Sequence, residues 1–373
     1  MRSDGIVYDI HYGDVLIKFG SILDMENEDV PYIANGKEGK TSTQLQDGDI
    51  VIADTAEDET AGKAVEIYNA QRKRIEAGLH TIPCRPISTY APMYLGYYMN
   101  SAFYHSQLLS LLQGVKVLSI SKANISNTVI TSPQSKMEQE KISSVLYLID
   151  LKVKKQRQVI DTLKKYKRGA VRCLLSAKSC ALRNARWTTA KMGELGSFVK
   201  GAPLSKADIS EDGTPFILYG ELYTTYNEVV TSVKRRTQAQ VDETFLSRVG
   251  DVVIPTSGET PEEISTASCV MLPNVILAGD LYIFRGDKVD GRIMSYLLNH
   301  VVNAKIARIA QGKSVVHIQA SELCKLTLTY PDKNTQNTII RFLSLLDDKI
   351  MNAENALTFL SDLKEGLMQQ LFI

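Results

Sequence analysis

No stretch of this chain approaches the ~20 consecutive apolar residues that a membrane-spanning helix needs. Arg2, Ser3 and Asp4 lead into no apolar core of an export signal. The five cysteines, Cys84, Cys173, Cys180, Cys269 and Cys324, form no CxxC pair and are odd in number. That excludes a disulfide framework and a zinc site and implies a reducing compartment. A cytoplasmic protein with no membrane partner is expected. The five histidines, His11, His80, His105, His300 and His317, are scattered with no metal-ligand spacing. There is no GxGxxG, and no Asn-Pro-Pro tetrapeptide of an adenine methylase. Gly312-Lys313-Ser314 looks like the tail of a phosphate-binding loop, but the first glycine of such a loop would fall on Ala307, and a helix precedes it where a strand belongs. Ser257-Gly258-Glu259-Thr260 carries hydroxyls but has no base paired to it in sequence, and reads as a polar loop after a strand. No cofactor, no metal and no catalytic residue is expected, and the chain is not read as an enzyme.

A strong overall charge is also missing. The 43 Lys and Arg against 42 Asp and Glu leave a net charge of +1, so no global basic field announces nucleic acid. The distribution is less even. Residues 152–186 hold twelve Lys or Arg and one acid, Asp161. A run this basic suits a polyanion or an acidic partner. With 373 residues, 44% of them hydrophobic, the chain can bury the cores of two or three domains.

What the chain does contain is a copy of part of itself. Residues 138–176 laid over 335–373 give ten identities in 39 pairs: Gln139/Gln336, Ile142/Ile339, Leu146/Leu343, Leu148/Leu345, Asp150/Asp347, Lys152/Lys349, Leu163/Leu360, Lys167/Lys364, Gly169/Gly366 and Leu174/Leu371. Chance at roughly one in twenty per position gives about two; a period of half the chain marks a duplication, not a solenoid. Both copies read as long helices. Ile142, Leu146, Ile149, Val153, Ile160 and Leu163 follow a 4-3 spacing that runs on through Gln156, and Ile339, Leu343, Leu346, Ile350, Leu357 and Leu360 repeat it. Such a narrow apolar seam wants another helix, and the simplest partner for one seam is the other.

The rest of each half is a globule. In residues 1–133, strands are expected at 50–53 after the Asp47-Gly48-Asp49 turn, at 66–68, at 80–86 where Pro86 ends it, at 117–120 and at 127–131; residues 93–112 have helical spacing. Pro133 breaks the chain, and Ser135 with Glu138 three residues on makes a start signal for the first long helix. A linker, 177–186, leads to a second globule, 187–330, that answers to the first. Ile10 to Val15 corresponds to Ile217 to Leu222, Gly48 to Ile52 corresponds to Gly250 to Ile254, and His80 to Arg85 corresponds to Asp280 to Arg285. Gln113-Gly114 matches Gln311-Gly312, and Pro133 matches Pro331. Residues 187–207 have no counterpart in the first half. The first globule therefore starts late: it either tolerates the loss of an edge element or is a shortened form.

Polar loops recur at matching places. Tyr12 and Tyr219 head equivalent Tyr-Gly turns, with Lys18 after the first and Tyr223, Thr224 and Thr225 after the second. Arg72, Lys73 and Arg74 form a basic triplet in one globule; Lys234, Arg235 and Arg236 form one in the other. Lys116 and Lys313, the latter followed by Ser314, sit in the turns after Gln-Gly. Lysine and arginine suit phosphates and guanine edges, and hydroxyl and amide side chains suit base edges. These residues are the DNA-binding candidates.

The duplicated order, with Gln139-x-x-Ile142…Asp150 and Gln336-x-x-Ile339…Asp347 at the helix starts and Lys167-x-Gly169 and Lys364-x-Gly366 near their ends, resembles the specificity subunit of type I restriction–modification enzymes. Thr335, where the first copy has Glu138, departs from the pattern. The resemblance implies an α+β fold of two α/β target recognition domains in tandem, separated by two long antiparallel coiled-coil helices with a pseudo-two-fold repeat. It implies recognition domains over 1–133 and 187–330 and spacer helices over 134–176 and 331–373. Each domain would read one half of a split double-stranded DNA target; the helices would set the gap and dock two methyltransferase subunits, with restriction subunits as possible further members. The seam runs on from Ile142 to Leu174 and from Ile339 to Leu371, 33 residues in each copy, and at ~1.5 Å per residue is about 50 Å long, compatible with major-groove sites ~34–36 Å apart. The rival reading is a coiled-coil bridging adaptor without DNA recognition.

Overall fold

The computed structural model describes residues 5–33, 44–177, 182, 185–312 and 315–372. The chain divides into two compact units, Met1–Val159 with Ala353–Ile373, and Ile160–Asn352. Each unit therefore contains one globule, the start of the helix that follows it, and the end of the other helix. The helices run Lys136–Leu174 and Lys333–Leu371. Ser135 opens the first, its hydroxyl accepting from the Glu138 amide at 3.4 Å.

In the first unit a four-stranded sheet has the order Ile22–Asp24, Ala64–Tyr68, Ile50–Ala53, Thr81–Cys84. Its first pair is parallel and the others antiparallel. Ile50–Ala53 is buried along its whole length, as its unbroken apolar run predicts. Val7–Ile10 pairs in parallel with Arg74–Ala77. The helical spacing over 93–112 is realised as two helices, Tyr94–Tyr98 and Ala102–Leu109. The break falls where Asn100 holds the Ala64 backbone through both its amide nitrogen and oxygen and Ser101 caps the second helix.

The second unit repeats this plan. Its sheet runs Ser197–Lys200, Leu281–Arg285, Asp251–Pro255, Ser268–Val270, Val229–Val230. The last four strands match the four of the first unit. Asn299 holds the Ala267 backbone as Asn100 holds Ala64, and Arg285 pairs with Asp251 as Arg85 pairs with Asp49. Gln336 and Gln139 each take an amide and give one to a carbonyl just before their helix.

The residues without a counterpart supply two further strands, Ser197–Lys200 at the sheet edge and Trp187–Lys191, which forms a five-residue antiparallel ladder with Thr327–Pro331. This corrects the strand expected at 127–131. With Pro133 matched to Pro331, that segment overlaps the strand Thr327–Pro331, but among the described residues of the first half nothing takes the place of Trp187–Lys191. Without a ladder partner it forms no strand. Side chains take the place of the missing neighbour: Gln107 donates to the Val129 carbonyl and accepts from the Val129 amide, and Tyr98 Oη accepts from the Thr131 amide at 2.8 Å. The strand expected at 117–120 is present only as Leu118–Ser119.

The identities in the two helices explain themselves once packed. In the first unit Lys364 Nζ lies 2.6 Å from Asp150 and 5.5 Å above the Tyr97 ring, and Tyr97 Oη donates to the same Asp150 at 2.8 Å. In the second unit Lys167 Nζ lies 2.6 Å from Asp347 and 5.3 Å above the Tyr296 ring, and Tyr296 Oη donates to Asp347 at 2.9 Å. Asp150 and Lys167 on one helix thus answer to Asp347 and Lys364 on the other, each pair joining both helices and a globule. Gln156 Nε2 also reaches the Ala353 carbonyl, which fixes the helices as antiparallel within the first unit. Ile142 and Leu146 share a core with Tyr94, Tyr97, Tyr98 and Phe372; Ile339, Leu343 and Leu346 share one with Val171, Leu175 and Tyr296. Ile149, Ile160 and Ile350 are buried, and Val153, Leu163, Leu357 and Leu360 half-buried.

The second station is larger. Lys167 also meets Glu228 at 2.7 Å, and Glu228 meets His300 Nε2 at 2.6 Å. Burial works against the charge on Glu228, but the His300 hydrogen bond and the Lys167 ammonium outweigh it and hold its carboxyl down at about 2. A carboxyl held low in the fold contributes stability that is present above its unfolded value of 4.5 and is lost as pH falls towards 2. Glu228→Gln should therefore lower the melting temperature of the second unit at neutral pH, and the gap to wild type should close between about pH 4.5 and 2; a gap independent of pH would contradict the ion-pair account. In the first unit, Gln107→Ala should cost about 0.5–1.5 kcal/mol locally and speed amide exchange at Val129, and unchanged exchange there would show that Gln107 does not replace the missing strand.

Candidate nucleic-acid interface

The second globule gathers several of the DNA-binding candidates around one cavity. Tyr219, Tyr223, Thr224 and Arg235, with Lys206 and Asp280, line a space of about 630 Å³. The Tyr-Gly turn leads into the short helix Glu221–Thr224, which brings Tyr223 and Thr224 to the rim. Thr224 Oγ1 donates to the Gly220 carbonyl, and Thr225 is half-buried beside it. Strand pairing of Thr214–Leu218 with Arg235–Thr237 places the basic triplet next to this turn. The three residues then part company. Arg235 Nε donates to buried Glu221 at 2.8 Å, Arg236 is exposed and donates to the Gly213 carbonyl, and Lys234 is exposed. Lys313 and Ser314 lie outside the described residues.

The first globule disperses its candidates more widely. Tyr12 is half-buried and meets His80 edge-on at 5.4 Å. Lys18 reaches the Asp29 carbonyl and its carboxylate. Arg72 and Arg74 are exposed, whereas Lys73 turns inward, donating to the Met25 carbonyl and lying 5.4 Å over the Tyr8 ring. Lys116 is exposed in its turn.

A second cavity of about 480 Å³ shares Leu204, Gly279 and Asp280 with the first and adds Ser257, His317 and Lys200. Here the sequence reading missed a contact. Ser257 has a base beside it after all: the strand Ser257–Gly258 pairs with Val316–His317 in a register that sets Ser257 opposite His317. Ser257 Oγ lies 2.9 Å from His317 Nδ1 and donates to Asp280 Oδ2 at 3.1 Å. The carboxylate holds the serine, not the imidazole, so the group that orients the base in a nucleophilic triad is not in its place. The three instead form a polar rim. In sequence the two residues stand 60 positions apart, Ser257 just after a buried strand, and nothing there joins them.

Residues 184–358 match the family model described as the type I restriction modification DNA specificity domain. No curated protein matches the chain. Two solved structures share the fold. One is a chain from a type I restriction–modification system studied for its complex assembly and conformational transition, with a TM-score of 0.58 at 14% identity, covering 94% of this chain and 90% of that one. The other is the S subunit of a type I restriction–modification system from M. genitalium, with a TM-score of 0.58 at 13% identity, covering 98% of this chain and 92% of that one. The α+β architecture that the resemblance implies is thereby borne out, and the resemblance itself is borne out over residues 184–358.

Proposed function

We propose that this chain is the sequence-specific DNA-recognition subunit of a type I restriction–modification complex, the family whose specificity domain its residues 184–358 match. The observation that carries the reading is the repetition of one globule-and-helix plan in two units, down to the reciprocal Asp150–Lys364 and Lys167–Asp347 pairs. A repeated reader suits a target in two parts, each globule reading one half and the helices fixing the unspecified gap. In this reading residues 1–133 and 187–330 are the readers, 134–176 and 331–373 the spacer helices and 177–186 the linker. The chain itself supplies recognition and leaves methyl transfer to its partners. Exposed Lys234 and Arg236 suit phosphate contacts, and the cavity around Tyr219 and Tyr223 suits base edges.

The helices carry support for a partner that binds twice. Exposed apolar side chains occur at matching positions of the repeat: Val145 with Phe342, Leu148 with Leu345, and Tyr166 with Leu363. Seam positions face inward, so these residues belong to a different face. Two equivalent apolar patches fit two copies of one partner, which we assign to the methyltransferase subunits. An adaptor without DNA recognition would share the patches but not the specificity-domain match.

Two measurements test this. Co-expressed with its methyltransferase, the chain should direct methylation to a bipartite sequence, read by methylation-site sequencing. Leu148→Glu or Leu345→Glu alone should reduce the complex from two methyltransferase subunits to one in native mass spectrometry, and the double variant should carry none. A full complement on the double variant would place the docking surface elsewhere.

A further inference from the structure

The two globules share a backbone frame at one rim and differ there in a specific way. In the second unit the Thr256 amide donates to the Asp280 carbonyl, the Ile318 amide to the Thr256 carbonyl, and Gln311 and His317 exchange both backbone hydrogen bonds. In the first unit the Asp54 amide donates to the His80 carbonyl, the Ile120 amide to the Asp54 carbonyl, and Gln113 and Ser119 exchange both. The frame makes four positions equivalent: Asp54 with Thr256, Thr55 with Ser257, His80 with Asp280, and Ser119 with His317. Each quartet contains one aspartate, one histidine, one threonine and one serine, but their assignment to the four positions is permuted. The frame residues behave oppositely. Asn100 and Asn299, Gln139 and Gln336, Tyr97 and Tyr296 keep both identity and contact. A locus that holds its backbone fixed while rearranging its acid, imidazole and hydroxyls is where two readers built on one plan would differ in what they read.

The side chains at this locus are organised to present acceptors. Ser257 is buried and its single hydroxyl proton goes to Asp280, so its oxygen is free to accept from His317 Nδ1 at 2.9 Å. A neutral imidazole held that way keeps its proton on Nδ1 and offers Nε2 as an acceptor, and Asp280 offers its second carboxylate oxygen. Both residues are exposed. In the first unit Thr55 donates to Asp54 at 2.9 Å, and the same carboxylate oxygen faces His80 Nδ1 at 3.4 Å, with Tyr12 edge-on to the imidazole. In the major groove the complementary donors are the exocyclic amino groups of adenine and cytosine.

Resting on the reading of this chain as a DNA-recognition subunit, we propose that Asp280 and His317, positioned by Ser257, read base amino groups in one half of the target, and that Asp54 with His80 does so in the other half. The two half-sites differ because the quartet is permuted. Arg235, Lys234 and the other basic residues then set affinity and register, while these acceptors set sequence.

The test uses the full chain in complex with its methyltransferase, with methylation-site sequencing and DNA-binding competition as readouts. Asp280→Asn and His317→Ala should each relax or change one base in a single half-site, with preference at that base falling on the order of ten- to hundredfold. Ser257→Ala should relax the same base through loss of positioning. His80→Ala should alter the other half-site only. The Asp280, His317 and His80 variants should melt like wild type, since these residues are exposed; if Asp280→Asn melts lower it is replaced by Asp280→Glu, which keeps the charge and should shift the same base. An unchanged motif in all variants, or uniform weakening on every sequence, would overturn the proposal while leaving the recognition function standing. A wild-type complex that methylates no bipartite sequence would overturn both.

Discussion

A lysine ammonium set between an aspartate and a tyrosine face is the contact on which each unit depends. Lys364 with Asp150 and Tyr97, and Lys167 with Asp347 and Tyr296, tie two antiparallel helices to a globule at one point. Both lysines are largely withdrawn from water, with side chains 24% and 12% exposed. Removing one partner from such a pair leaves a charge without compensation and typically costs about 3–5 kcal/mol. The tyrosine hydroxyl completes the aspartate's hydrogen bonds, which is what makes burial of the pair tolerable. Burial and the neighbouring aspartate together push each tyrosine hydroxyl well above its ordinary range, so both remain donors. The same contact made twice, with donor and acceptor helices exchanged, is the physical content of the internal repeat.

Much of this was legible in the sequence because it repeats. The ten helix identities include both members of each ion pair, so the sequence alone marks Asp150, Lys167, Asp347 and Lys364. The seam fell at the right spacing because apolar periodicity is set by helix geometry alone. What stayed hidden depended on distant partners. Nothing in the sequence marks Tyr97 or Tyr296 as a partner of the ion pairs. Residues 127–131 carry a strand's pattern but have no neighbour to pair with, and pairing, not pattern, makes a strand. The Ser257–His317 contact spans 60 positions and exists only through strand register. Among the basic residues, composition could not tell Lys73, turned inward, from exposed Arg72 and Arg74.

The division of labour between frame and rim follows from the same physics. Groups that hold the frame, such as Asn100, Asn299, Gln139 and Gln336, satisfy backbone donors and acceptors, and a change in them leaves a polar group unpaired. The polar rim at Thr256, Ser257, Asp280 and His317 has no such duty beyond its own internal hydrogen bonds. Its side chains differ between the two globules while the backbone frame is kept, which is the feature the proposed base readout rests on. Among the described residues of the first globule neither edge strand has a counterpart, and Gln107 and Tyr98 satisfy part of the backbone there.

The proposed function has each globule read one half of a split target, with the helices setting the gap between the halves. The direct measurement is methylation-site sequencing of a variant carrying four additional Ala-rich residues between Ala177 and Trp187. In helical conformation they add about 6 Å, close to two base pairs, and turn the following globule by about 400°, near one full turn. Both half-sites should be retained, with the gap between them longer by one or two base pairs. An active variant with an unchanged gap would contradict the account.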